Sequence, residues 1–122
     1  MIKPLHILIT DLNHNVKNFL TRELEKEGCV IYTAENAIDA QKYIYGANQL
    51  DIVILDPELP DLFGQPLLYE VQDRLPPVPV IVHAYKELFD DLKKDDNMYF
   101  VEKNAKSIKL LKEKINEIIS IY

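Results

Sequence analysis

Short, almost uninterrupted apolar runs alternate along this chain with longer stretches whose apolar residues recur three or four positions apart. The runs fall at residues 5–9, 29–32, 52–55, 78–83 and 98–101. They are rich in Ile and Val and too short for helices, so they predict strands, and their lack of a polar face predicts a sheet covered on both sides. Between them, Val16, Phe19, Leu20 and Leu24 repeat at helical spacing, with Gly28 placed as a stop. Ala37, Ala40, Tyr43, Ile44 and Ala47 outline a second helix with Asn36 at its N-cap. Leu67, Leu68, Val71 and Leu75 outline a third, ended by Pro76 and Pro77. Residues 85–96 mix Leu88, Phe89 and Leu92 with a charged run at 93–96 and read as a short, mostly exposed helix. Ile108, Leu111, Ile115, Ile118 and Ile119 form the inner face of the last helix. Five repeats of strand then helix predict an α/β fold: a doubly wound, five-stranded parallel sheet with five helices. With no linker or internal repeat in view, residues 1–122 are expected to form a single domain.

Composition narrows the partners. A chain of 122 residues with 48% apolar content supports one core. Its 14 basic against 20 acidic residues give a net charge of −6, which argues against direct nucleic-acid binding or an anionic membrane surface. Proteins or ions are the expected partners. The single Cys29 excludes an internal disulfide, no apolar run approaches the roughly 18 residues of a membrane span, and the opening MIKP lacks a signal-peptide core. A cytoplasmic location is expected. Glycines only at 28, 46 and 64 leave no material for a glycine-rich nucleotide cradle.

The candidate chemistry lies at the strand ends. The stretch DIVILDPELPDLFG at 51–64 runs a buried strand straight into Asp56 and then halts it with two prolines and a glycine. In an open parallel sheet, ligands gather at the carboxyl ends of the strands. Asp11 after the first strand, Asp56 after the third, Ala84 after the fourth and Lys103 after the fifth are therefore expected on one edge. Two carboxylates there suit a hard cation such as Mg²⁺, and Lys103 suits Asp56 as a charge partner. Their surplus negative charge requires a bound cation or a partly protonated carboxylate. Plainer readings stand beside these: Asp56 as a turn residue, Asp11 as a helix cap, Lys103 as a surface lysine. His83, at the end of the fourth strand, reads as a pocket residue or, as is more usual in an apolar strand, a hydrogen-bonded core residue, while His6 and His14 show no metal-ligand spacing.

On three motifs the chain resembles a response-regulator receiver domain of two-component signalling over residues 5–121. ILITD at 7–11 is similar to the family's first acidic motif, 51–64 to its phosphoacceptor motif, and FVEK at 100–103 to its lysine motif. The resemblance implies a flavodoxin-like three-layer sandwich and a regulatory domain rather than an enzyme. It implies that Asp56 accepts phosphate from a histidine kinase or phosphotransfer protein and that Lys103 senses the phosphoryl group. Asp11, Asp56 and the backbone carbonyl of Glu58 would hold Mg²⁺, with the Glu58 side chain a candidate substitute for a missing acid. Phe100 would be the mobile switch aromatic, and a downstream output domain or protein would receive the signal. Homodimerisation is common in the family.

This sequence also departs from the family pattern. Leu12 stands where a second acid is usual, Ala84 where a Thr or Ser hydroxyl meets the phosphoryl oxygen, and Asn104 where a proline commonly follows the lysine. The missing hydroxyl alone forfeits a charge-assisted hydrogen bond of about 1.5–3 kcal/mol, or about one to two decades in an equilibrium. Weakened metal binding and weakened switching are therefore expected. One alternative is a pseudo-receiver, a phosphorylation-independent interaction module. Another, from the enzyme class, is a small haloacid-dehalogenase-like phosphatase, suggested by DLN at 11–13 after an apolar strand.

Overall fold

In the computed structural model, residues 4–46, 49–59, 71, 78–89 and 97–121 are described. The strands are β1 (His6–Thr10), β2 (Val30–Ala34), β3 (Ile52–Leu55), β4 (Val80–Ala84) and β5 (Met98–Glu102). They form one sheet in the order β2-β1-β3-β4-β5, and every neighbouring pair is parallel. Among the described residues, the helices with defined bounds are α1 (His14–Lys26), α2 (Ala37–Ile44) and α3 (Ser107–Ile121), and a 3₁₀ turn lies at Lys86–Leu88.

Strand periodicity divides the core in two. Ile7, Ile9, Ile52, Ile54, Ile81 and Val101 pack with Leu20 and Leu24 of α1 and Leu111, Ile115 and Ile118 of α3. Leu8, Val53, Leu55, Val80, Val82 and Ala84 face the other way, onto Ala40 and Ile44 of α2. Successive strand residues point to opposite faces, so a run that is apolar at every position fills both layers. The expected doubly wound sandwich is what the chain forms.

Strand boundaries differ from the apolar runs by one or two residues. Pairing continues through Thr10↔Ala34 and Ala84↔Glu102, because the ladder uses backbone groups and tolerates a polar side chain at its end. At the other end, Pro79 has no N–H to give, and β4 starts at Val80 although the Pro79 carbonyl still accepts from Val53 N at 3.0 Å. The Cys29 N–H goes to Leu24 O at 3.3 Å and so belongs to the end of α1. Gly28 adopts φ 89°, the left-handed conformation that terminates a helix at little cost only in glycine.

The third expected helix lies outside the described residues except for Val71, which is helical and fully buried. Of the expected fourth helix, Lys86–Leu88 form the 3₁₀ turn, and residues 90–96 lie outside the described set. Replacing Leu8, a fully buried residue of the α2 face, with Ala is expected to cost about 2–5 kcal/mol in urea unfolding. A cost below about 1 kcal/mol would mean that this layer is not close-packed.

Candidate functional site

The pairing Ile9↔Ile54 continues two residues onward to bring Asp11 and Asp56 together at the carboxyl edge of the sheet. Both are almost fully buried, at 1% and 2% exposure. Two buried carboxylates require a counter-charge, and Lys103, just past β5, supplies it. Its Nζ lies 3.0 Å from Asp11 Oδ2 and 3.3 Å from Asp56 Oδ2. Its backbone N–H donates to Ala84 O at 2.9 Å, which fixes the residue to the end of β4.

Backbone donors complete the site. Asn13 N donates to Asp11 Oδ1 at 2.8 Å and Glu58 N to Asp56 Oδ1 at 2.9 Å, while Leu12 N makes a longer 3.4 Å bond to Asp56 Oδ2. The turn after β3 is closed by Leu59 N on Asp56 O at 3.1 Å. Thr10 ties the two carboxylate-bearing strands: its hydroxyl donates to Ile54 O at 3.3 Å and accepts from Asp56 N at 3.1 Å. The sequence places Thr10 just past the first apolar run, among cap-forming residues, and nothing there shows that it orients Asp56.

The electrostatics follow from burial and pairing. Burial pushes the Asp11 carboxyl above its ordinary value of 3.8, against the opposing pull of the Asn13 N–H and of Lys103. Burial alone would lower the Lys103 pKa, but its bond to Asp11 and the charges of Asp11 and Asp56 outweigh it and hold the ammonium above 10.5. Lys103 is thus a fixed cation at neutral pH.

The remaining predicted residues divide clearly. Leu12 is 49% exposed, so an apolar side chain stands at the mouth while only its N–H serves Asp56. Ala84 is buried and brings no hydroxyl. Glu58 is exposed and touches Asp56 through its backbone N–H. Asn104 accepts from Lys106 N at 2.8 Å, forming a side-chain turn that leads into α3. Phe100 lies with the α2-face cluster, edge-on to Phe89 at 5.1 Å between ring centroids. The cap of α1 is Asn13, whose Oδ1 accepts from Asn15 N and Val16 N, so Asp11 is left to the site. Among the described residues, no group of three or more His, Cys, Asp or Glu side chains is arranged to hold a metal ion.

Two further residues border the site. Tyr85 is exposed, with its ring centroid 5.8 Å from Lys103 Nζ, within cation–π range. His83 is 1% exposed, and, contrary to the expectation of a hydrogen-bonded core histidine, neither ring nitrogen has a partner among the described residues. Burial first, and the charge of Lys103 second, push its pKa down to about 4, with Asp56 opposing.

A depressed histidine pKa favours the fold while the ring is neutral. The resulting stability is complete above the unfolded value of 6.5 and lost as pH falls through about 4. Comparing His83→Val with the wild type in urea unfolding across this window should show the wild type losing about 3 kcal/mol more on acidification. Equal losses would place the titrating group elsewhere.

Comparison with known proteins agrees with this arrangement. The family model described as "Response regulator receiver domain" matches residues 7–115. The transcriptional regulatory protein GlrR of Escherichia coli is 30% identical over 80 residues, covering 66% of this chain but 18% of that protein. The chain therefore matches less than a fifth of the length of this relative. Among solved structures, response regulator TrrA of Thermotoga maritima in complex with Mg²⁺-BeF has a TM-score of 0.77 and 30% identity, with 93% of this chain and 98% of that chain covered. A chain from the complex of histidine kinase ThkA with TrrA has a TM-score of 0.74 and 27% identity, with 93% and 97% covered. With its parallel five-stranded sheet and carboxyl-edge acids, the chain belongs to the response-regulator receiver domains of two-component signalling, which are regulatory phosphoacceptor domains rather than enzymes in the usual sense.

Proposed function

We propose that residues 1–122 act as a single receiver domain in the cytoplasm that accepts a phosphoryl group on Asp56 from a histidine kinase or phosphotransfer protein. The observation that carries this reading is the Lys103 ammonium held between the buried carboxylates of Asp11 and Asp56. In the acceptor step, a carboxylate oxygen of Asp56 attacks phosphorus and the bond from phosphorus to the donor's imidazole nitrogen breaks, returning the electron pair to that nitrogen. Lys103 moves with the new charge and neutralises the phosphoryl oxygens. The ThkA–TrrA complex supports a kinase as the donor, and the likeness to GlrR supports a downstream output domain or protein.

The donor set suits Mg²⁺ in a water-rich form, because that ion needs only one or two protein carboxylates once phosphate oxygens are present. Asp11, Asp56 and the Glu58 backbone carbonyl would hold it, and when bound it supplies positive charge to the incoming phosphoryl group. Leu12 adds no ligand and Lys103 already occupies both acids, so the affinity is expected to be low. The same two features, exposed Leu12 and hydroxyl-free Ala84, favour a pseudo-receiver as the second reading.

Acetyl phosphate, or beryllofluoride with Mg²⁺, separates the two. Intact mass should show one phosphoryl group on the wild type and none on Asp56→Asn, with saturation only at raised Mg²⁺. Ala84→Thr should tighten beryllofluoride binding by about one to two decades, the worth of one charge-assisted hydrogen bond. Absence of any adduct at every Mg²⁺ concentration would leave the pseudo-receiver.

A further inference from the structure

His83 forgoes two hydrogen bonds. A neutral imidazole carries one N–H donor and one bare acceptor nitrogen, and both are buried without a partner among the described residues. Buried polar groups in native proteins are nearly always paired, so an orphan of this kind asks for a physical explanation. The apolar members of its layer, Ile54, Ile81, Val101 and Leu111 among them, offer none.

Polar chemistry lies one strand away. The register Leu55↔Val82 runs on to set His83 beside Asp56, and His83 itself pairs with Val101, two residues before Lys103. Residues two apart on a strand share a face, so His83, Asp56 and Lys103 all belong to the α1/α3 side of the sheet. In the resting structure Asp56 Oδ2 depends on Lys103 at 3.3 Å and on the longer Leu12 N–H at 3.4 Å. Ala84 cannot offer a side-chain donor. Abandoned by Lys103, Asp56 Oδ2 would keep only the long Leu12 N–H bond, while Oδ1 keeps the Glu58 N–H.

We propose that His83 is a positioning residue for Asp56: when Lys103 is drawn away from Asp56 to a phosphoryl oxygen, the His83 imidazole rotates and donates its N–H to the carboxyl group that Lys103 has left. This rests on the reading of Asp56 as phosphoacceptor. No proton is transferred, since the imidazole stays neutral and supplies a donor that the hydroxyl-free strand end lacks. Burial and the neighbouring ammonium keep it in that neutral form at physiological pH.

The test uses protein labelled with ¹⁵N-histidine and reads the His83 ring nitrogens with and without Mg²⁺ and beryllofluoride, while ¹⁹F signals report the adduct separately. With the adduct present, the donor nitrogen should shift and its N–H proton should become slow to exchange. Lys103→Met should produce the same ring signature with no phosphoryl analogue at all. His83→Val should keep the fold and weaken beryllofluoride binding by about tenfold, the worth of one hydrogen bond to a charged group. An adduct with unchanged His83 signals and unchanged affinity in His83→Val would overturn the proposal while leaving Asp56 as the acceptor. If no adduct forms, the acceptor reading fails on its own, and an unaltered ring in Lys103→Met then overturns this one too.

Discussion

One ammonium group bridges two buried carboxylates, and the site depends on that contact. Desolvating Asp11 and Asp56 without compensation is costly, and burial alone already pushes Asp11 toward its protonated form. Lys103 makes the pair tolerable by touching both, while backbone N–H groups of Asn13 and Glu58 serve the other oxygens. One positive charge against two negative ones leaves the resting site with a formal surplus of one negative charge. Any cation or phosphoryl group that enters must displace or redirect Lys103, and this competition defines what the domain can sense.

The sheet makes the contact possible. Parallel pairing aligns the carboxyl ends of β1, β3, β4 and β5, so residues distant in sequence end one layer above a common apolar floor. Thr10 locks the level of β1 against β3, and the Lys103 backbone locks β5 against β4. Above this rigid edge, Leu12 and Tyr85 present exposed apolar surface where the chemistry opens to solvent.

Much of this was legible in the sequence, for physical reasons. Uninterrupted apolar strands require a covered parallel sheet, and a parallel sheet gathers strand-end residues, so Asp11, Asp56 and Lys103 could be assembled without coordinates. The exact ends of the strands were less legible, because backbone pairing extends through Thr10 and Glu102 and is cut short by Pro79, none of which hydrophobicity registers. Asn13 rather than Asp11 is the cap because the Asn13 side chain reaches Asn15 N and Val16 N, while Asp11 accepts from Asn13 N at the site. The isolation of His83 was not legible at all, since a histidine in an apolar strand normally finds a partner and only the three-dimensional neighbourhood shows that this one does not.

Leu12 and Ala84 then shift the balance between Lys103 and external ligands, since one adds no metal ligand and the other no hydroxyl. The direct test is a Mg²⁺ titration, followed by calorimetry and by urea unfolding, of wild type against Lys103→Met. If Lys103 is the internal cation, its removal costs about 3–5 kcal/mol of stability in the absence of metal, Mg²⁺ binds the variant more tightly than the wild type, and the ion restores part of the loss. Equal stability of the two proteins, or Mg²⁺ affinity no higher in the variant, would contradict the account.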